Sequence, residues 1–164
     1  MEKPQKIALS IAGAVAAALV LATLVLFFNR DALVRRGAFE APPMEENAVA
    51  GAPEGLEESL SYQQMAVKED YVVYLCATPR AADGRLTLYF TCAPENTDLM
   101  KIRILDEAGE LLGESGLLSP GTYLPQVALA REPASGEMIT IQVMAYQPET
   151  YYSGGSIRLN VYVQ

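Results

Sequence analysis

"EMITIQVMAYQPETYYSGGSIRLNVYV", residues 137–163, alternates apolar and polar side chains in two runs on either side of a polar segment. Apolar residues at every second position are typical of strands with one buried face. Each run carries four such residues: Ile139, Ile141, Val143 and Ala145 in the first, and Ile157, Leu159, Val161 and Val163 in the second. The stretch therefore predicts two half-buried strands with the loop "QPET" between them.

The same period of two continues upstream, in Leu86, Leu88, Phe90 and Cys92 and in Met100, Ile102 and Ile104. Turn-forming pairs such as Asp83-Gly84 and Pro120-Gly121 separate the runs. We predict strands at 62–67, 70–77, 85–92, 99–105, 110–114, 123–130, 137–146 and 156–163. The fold class predicted for residues 61–164 is all-β, an antiparallel immunoglobulin-like β-sandwich of about seven or eight strands.

Residues 7–28, "IALSIAGAVAAALVLATLVLFF", form a run of 22 uncharged residues. At about 1.5 Å per residue a helix of this length spans about 30 Å of hydrocarbon. A cleaved signal usually has a shorter apolar core followed closely by a small-x-small site, and no such site adjoins Phe28. We predict an uncleaved signal anchor, a single transmembrane helix, behind a short basic head at residues 1–6.

Residues 29–60 are predicted to be a flexible acidic linker rich in proline and glycine. The part from Glu40 to Glu58 contains three prolines, two glycines, six glutamates and no basic residue. Such a segment has little apolar surface to offset the entropy lost on ordering, and its carboxylates repel one another.

Charge is divided unevenly along the chain. Residues 1–40 carry five Lys or Arg and three Asp or Glu, a net charge of +2, whereas residues 41–164 carry seven and seventeen, a net charge of −10. So acidic a domain lacks the basic face that nucleic acids require, which excludes a nucleic-acid partner. The charges flanking the apolar run are nearly balanced, so orientation rests on architecture. A short head, one span and an acidic domain with two cysteines predict a single-pass cell-membrane protein whose C-terminal domain is extracytoplasmic.

Residues 104–129 and 136–163 resemble a group of largely uncharacterised, single-span surface proteins of Gram-positive bacteria, some of them in conjugative or other mobile elements. The resemblance covers about the last hundred residues and rests on these positions: Asp106, Gly109, Glu110, Glu114, Ser115, Gly116, Pro120, Gly121, Gly136, Ala145, Tyr146, Pro148 and Thr150. It implies one immunoglobulin-like domain held outside the cell by an anchor and an acidic stalk.

Catalytic chemistry has little support in the sequence. The chain has no histidine, which removes the commonest general base and the usual zinc ligand. It also has no phosphate-binding glycine loop, dinucleotide fingerprint or calcium loop. We expect no catalytic residue, no cofactor and no metal, and hence a protein that is not an enzyme.

Cys76 and Cys92 are the two cysteines of the chain. In an exported domain they could form one disulfide, or they could be two buried free thiols, and the sequence leaves both alternatives open. A tight hairpin at Asp83-Gly84 would not place Cys76 beside Cys92. No C-x-x-C motif points to a redox role.

The candidate binding loop consists of Tyr146, Pro148, Tyr151 and Tyr152, around "QPET". Aromatic side chains on the loops of a rigid sandwich are a common means of gripping a peptide or a sugar. The alternative is that these tyrosines only pack at the rim. We predict a non-enzymatic module that binds a protein partner at the cell surface or helps to assemble the cell envelope or a transfer apparatus. The alternative function is binding of a cell-wall glycan, although the chain has no tryptophan.

Overall fold

The structure, a computed structural model, describes residues 41–68 and 71–164 together with positions 20 and 23. The predicted head, the rest of the predicted anchor helix and the linker up to residue 40 lie outside the described residues. In the part that is described, no helix has the length and hydropathy needed to cross a bilayer. The chain divides into two units, Met1–Ala41 and Pro42–Gln164, and the second contains the strands of the structure.

Ten strands and one short 3-10 helix, Glu58–Leu60, make up this unit. The strands are β1 (Val49–Ala50), β2 (Tyr62–Lys68), β3 (Tyr71–Cys76), β4 (Arg80–Ala82), β5 (Arg85–Cys92), β6 (Leu99–Leu105), β7 (Leu111–Glu114), β8 (Thr122–Ala128), β9 (Met138–Tyr146) and β10 (Ser153–Tyr162). One sheet has the order β1-β8-β5-β3-β2, with β4 also paired to β5, and the other has the order β10-β9-β6-β7. All of these strand pairs are antiparallel.

The two sheets share one hydrophobic core, which gives a β-sandwich-like arrangement. Phe90 is the largest fully buried side chain, and it packs in a cluster drawn from both sheets. The first sheet contributes Val73, Leu75, Leu86 and Leu88, and the second contributes Met100, Ile102, Ile104, Ile139 and Ile141. The alternating residues of the sequence are thus the residues that form the core.

The prediction of an all-β antiparallel fold is confirmed, and each of the eight predicted strands is present within a few residues of its predicted bounds. The two further strands, β1 and β4, have only two and three residues. Strands so short contain too few alternations to be recognised by period.

Lys101 departs from the alternation, because it occupies an outer position of β6 and is nevertheless buried. Its Nζ lies 3.0 Å from Glu114 Oε2, and Arg103 Nε lies 3.1 Å from the same oxygen. Desolvation raises the pKa of Glu114, but the hydrogen bonds and charges of the two cations outweigh it and hold that pKa below its usual value. The ammonium group is buried with its charge compensated.

The compact unit begins at Pro42, earlier than the boundary predicted between residues 60 and 61. Residues 43–51, here called the strap, bind the domain through their backbone. The Leu117 N–H donates to the Pro43 carbonyl (2.8 Å), and the Glu45 N–H donates to the Leu117 carbonyl (2.9 Å). The Gly51 N–H donates to the Gly121 carbonyl. Strand β1 within the strap pairs with β8. These ordered residues fall within the predicted linker, residues 29–60, whose bounds stay a prediction.

The strap is also held by one carboxylate. Glu45 Oε2 accepts a hydrogen bond from the Gly116 N–H at 2.7 Å, and its Oε1 accepts one from the Asn47 N–H at 3.1 Å. A Cβ at Gly116 would lie 2.7 Å from the Glu45 Cα, so only glycine permits this approach. Polar contacts thus hold part of the strap, and Ala48, which is partly buried, packs against the core.

We expect Glu45→Ala to lower the free energy of unfolding by about 1–3 kcal/mol, because it removes an acceptor that is charged and shared by two backbone donors. Urea denaturation of the full chain in detergent measures this. Glu46→Ala is the matched control, since Glu46 is the next residue, carries the same charge and is exposed. Equal effects of the two substitutions would contradict the assignment of the strap to the domain.

Candidate functional site

The candidate binding loop is an ordered turn between β9 and β10. The Gln147 N–H donates to the Tyr152 carbonyl at 3.0 Å, and the Tyr151 N–H donates to the Gln147 carbonyl at 2.8 Å. Tyr151 has a φ of 55°, in the left-handed region, and is half-buried. Pro148 is exposed and the Tyr152 side chain is 68% exposed, whereas Tyr146 is half-buried with its hydroxyl 3.8 Å from Met144 Sδ.

The base of this loop is tied to the other sheet. The Tyr71 hydroxyl, from β3, lies 3.0 Å from the Gly154 carbonyl oxygen of β10 and 3.2 Å from Asp98 Oδ2. A Cβ at Gly154 would lie 2.7 Å from Asp98 Oδ2 and would also clash with the Tyr71 hydroxyl. The glycine thus lets a tyrosine of one sheet reach the backbone of the other.

A second group of tyrosines lies on the outer face of the first sheet. Thr91 of β5 is paired with Tyr74 of β3 on one side and with Tyr123 of β8 on the other. Residues that are directly paired share a face, so all three point away from the core. Thr91 is nevertheless only 4% exposed, and Tyr89 contacts Tyr123 with ring centroids 6.4 Å apart.

Tyr62 of β2 covers Thr91. The Tyr62 hydroxyl lies 2.6 Å from Thr91 Oγ1, and the Thr91 hydroxyl donates to the Tyr89 carbonyl at 3.0 Å. Because the threonine hydroxyl has a single proton, Tyr62 is the donor in the first of these bonds. Desolvation by burial is the main cause of the raised pKa of Tyr62. The Tyr62 ring stacks on Tyr74, with centroids 6.0 Å apart and planes inclined at 22°.

These side chains form one wall of a surface cavity of about 480 Å³, here called the tyrosine groove. Its lining comes from three strands, the strap and three loops: Gly51, Ala52, Tyr62, Tyr74, Thr91, Ala93, Pro94, Glu95 and Gly121. The Gly51 N–H donates to the Gly121 carbonyl, and the Gly121 N–H donates to the Cys92 carbonyl. These backbone hydrogen bonds hold together the segments that line the groove. The groove is thus a preformed concave site with a largely apolar lining.

A polar cleft of about 530 Å³ adjoins the groove and shares Glu95 with it. It is lined by Tyr71, Val72, Glu95, Asn96, Thr97, Asp98 and Gln147. Asn96 is buried, where its Oδ1 accepts a hydrogen bond from the Val72 N–H at 2.7 Å and its Nδ2 donates to the Val72 carbonyl at 2.6 Å. The loop that carries Glu95 is therefore anchored to β3.

The structure places Pro148, Tyr151 and Tyr152 in the turn between β9 and β10 and Tyr146 at the end of β9, and none of the four lines the tyrosine groove. Gln147, within that turn, lines the polar cleft. Sequence reasoning missed Tyr62, Tyr74 and Thr91. The signal was present in Tyr74, which alternates with the core residues Val73 and Leu75 and therefore had to face outward.

Cys76 and Cys92 are free thiols, and both are buried. Cys92 is paired with Val73 and belongs to the core cluster, whereas Cys76 is two positions from Tyr74 and is paired with Tyr62. The two side chains therefore point to opposite faces of the sheet, and a disulfide requires Cβ atoms about 3.8 Å apart. Of the two alternatives left open, the structure favours buried thiols.

Burial raises the pKa of both thiols to about 11, in Cys92 against a smaller lowering by its hydrogen bond from Asn96. We expect denatured chain to take up two alkyl groups from iodoacetamide without prior reduction, as measured by intact mass. Native chain at pH 8 is expected to react far more slowly, because few thiolates are present and access is blocked. Alkylation that occurs only after reduction would show a disulfide.

Within the described residues, no group of three or more Cys, Asp or Glu side chains could hold a metal ion. The expectation that the protein has no metal, no cofactor and no catalytic residue stays a prediction.

No family model and no curated protein matches the chain. Among solved structures, a Ruminococcus gnavus β-glucuronidase in complex with uronic isofagomine matches 59% of this chain with a TM-score of 0.37 and 21% identity. The match spans 15% of the length of that enzyme. The sheets and the groove thus define an all-β protein of two antiparallel sheets with an aromatic groove on its surface.

Proposed function

We propose that this chain is a non-enzymatic, membrane-tethered extracytoplasmic module with an immunoglobulin-like β-sandwich that binds a protein partner at the cell envelope. The partner would belong to an envelope assembly or a transfer apparatus, in keeping with the resemblance described above. The tyrosine groove is the binding surface in this proposal, and the loop of Tyr146, Pro148, Tyr151 and Tyr152 borders the neighbouring cleft.

The observation that carries the proposal is the ring stack of Tyr62 and Tyr74 beside a concave apolar surface. Tyrosine supplies a large contact area at a small cost in side-chain entropy, and it is enriched among the residues that dominate binding energy. Here the cost is smaller still, because the Tyr62 hydroxyl is already held by Thr91. A partner would meet a surface that needs little reorganisation.

A protein partner is favoured over a glycan by the polar groups of the groove. Sugars are recognised through several hydroxyl groups, which require several donors and acceptors. The Thr91 hydroxyl is engaged with Tyr62 and Tyr89, so Glu95 and the tyrosine hydroxyls are the other polar side-chain groups of the lining. An apolar side chain of a protein fits such a lining better.

The location is supported by residues 1–60 of the sequence. An uncharged run of 22 residues at 7–28 fits a membrane span, and a net charge of −10 over residues 41–164 would be repelled by anionic lipid. The apolar run would then be the attachment to the membrane, and the strap would begin close to it in sequence.

The test uses the full chain with a C-terminal epitope tag in the cells that produce it. We expect protease added to intact cells or protoplasts to remove the tag, and mild-detergent purification to recover an envelope protein in a defined ratio. Tyr74→Ala should lower that recovery at least about tenfold, the effect of losing a central aromatic contact.

Tyr162→Ala is the matched control, because Tyr162 is 62% exposed and lies on β10 of the other sheet. A protected tag would contradict the proposed location. Equal recovery with Tyr74→Ala and with Tyr162→Ala would contradict the groove, and binding of purified wall polysaccharide that is lost in Tyr74→Ala would establish the glycan alternative instead.

A further inference from the structure

We infer that the tyrosine groove and the polar cleft together take an extended basic peptide segment of the partner, with an aromatic or large apolar side chain in the groove and a Lys or Arg in the cleft. This inference rests on the proposed function, because it names the chemistry of the segment that the same surface would bind. Three observations support it: the two cavities are neighbours, the cleft contains carboxylates, and the domain has a net negative charge.

The two cavities are neighbours, because Glu95 lines both of them. Along β3, Val72 lines the cleft and Tyr74 lines the groove. These two residues are two positions apart, which in a strand is about 6.6 Å. An extended peptide has the same spacing between side chains at positions i and i+2, so its apolar anchor and its basic residue should be separated by one residue.

The carboxylates of the cleft have no cationic partner among the side chains that the structure describes. Among the ion pairs of the described residues, Glu57, Asp106, Glu114 and Glu137 are each matched with Lys or Arg, but Glu95 and Asp98 are not. Glu95 is exposed, and Asp98 is half-buried with one oxygen beside the Tyr71 hydroxyl. A ligand cation that enters the cleft would therefore meet two carboxylates that no described Lys or Arg side chain pairs with.

The net charge of the domain also favours a positively charged peptide. Its net charge of −10 over residues 41–164 attracts a basic segment and repels an acidic one. Between exposed charges this attraction is screened over about 10 Å at 0.1 M salt. Affinity for a basic segment should therefore fall as the salt concentration rises.

The test uses labelled peptides and the full chain in an uncharged maltoside detergent, with binding measured by fluorescence anisotropy at low and at physiological salt. The basic peptide consists of glycine and serine with one central phenylalanine and a lysine two positions away on each side. Two comparison peptides replace both lysines by glutamine or by glutamate, and a third replaces the phenylalanine by serine.

We expect the basic peptide to bind most tightly and the glutamate peptide least tightly, and we expect the serine replacement to lose at least about tenfold in affinity. Glu95→Gln should lower affinity for the basic peptide by about threefold to fivefold, the size expected for an exposed ion pair, and should leave the glutamine peptide unchanged. Glu107→Gln is the matched control, because Glu107 is an exposed carboxylate in the β6–β7 turn. Tyr74→Ala should weaken binding of every peptide that contains phenylalanine.

Affinities that are equal for the lysine, glutamine and glutamate peptides and unaffected by Glu95→Gln would overturn the inference. If Tyr74→Ala still weakened those peptides, the groove would remain a binding site and the proposed function would stand. If Tyr74→Ala left the binding of every peptide unchanged, both the basic-peptide inference and the proposed function of the groove would be contradicted. Equal losses in Glu95→Gln and Glu107→Gln would show a general effect of net charge, and would also overturn the assignment of the cation to the cleft.

Discussion

The pairing of β3 with β5 is the constraint on which the rest of the structure depends. Val73 opposite Cys92 faces the core, and Tyr74 opposite Thr91, one position along each strand, faces outward. Because the side-chain period of a strand is two, a slip of one residue would bury the tyrosine and expose the valine. The same register separates the two cysteines and creates the aromatic face, so core, thiol chemistry and candidate site all follow from it.

Two consecutive hydrogen bonds order side chains on the outer face of the first sheet. Tyr62 donates to Thr91, and Thr91 donates to the carbonyl of Tyr89, whose φ of 48° places it in the left-handed region. The pairing of β5 with β8 shifts register between Thr87 and Phe90, as at a β-bulge. The irregular backbone thus supplies the acceptor that orients the threonine, and the threonine in turn holds the tyrosine ring against its neighbour.

Strand period and turn chemistry were sufficient to predict the eight longer strands and the residues of the core. They were not sufficient for the strap, since Glu45 binds Gly116 through polar contacts with a distant part of the chain. The candidate site was predicted only in part. The aromatic loop was identified from its composition, but the groove requires Tyr62, Thr91 and Gly121 to be neighbours, and only sheet order and register bring them together.

We propose that partners meet this chain on the outer face of the β3–β5 pair. Hydrogen–deuterium exchange of the full chain, with and without its bound partner, is the sharpest test of this proposal. We expect new protection at residues 51–52 and 92–96, where backbone amides border the groove and the cleft, with no change at 156–162 on the other sheet. Protection confined to residues 156–162, or to 147–152 alone, would contradict it.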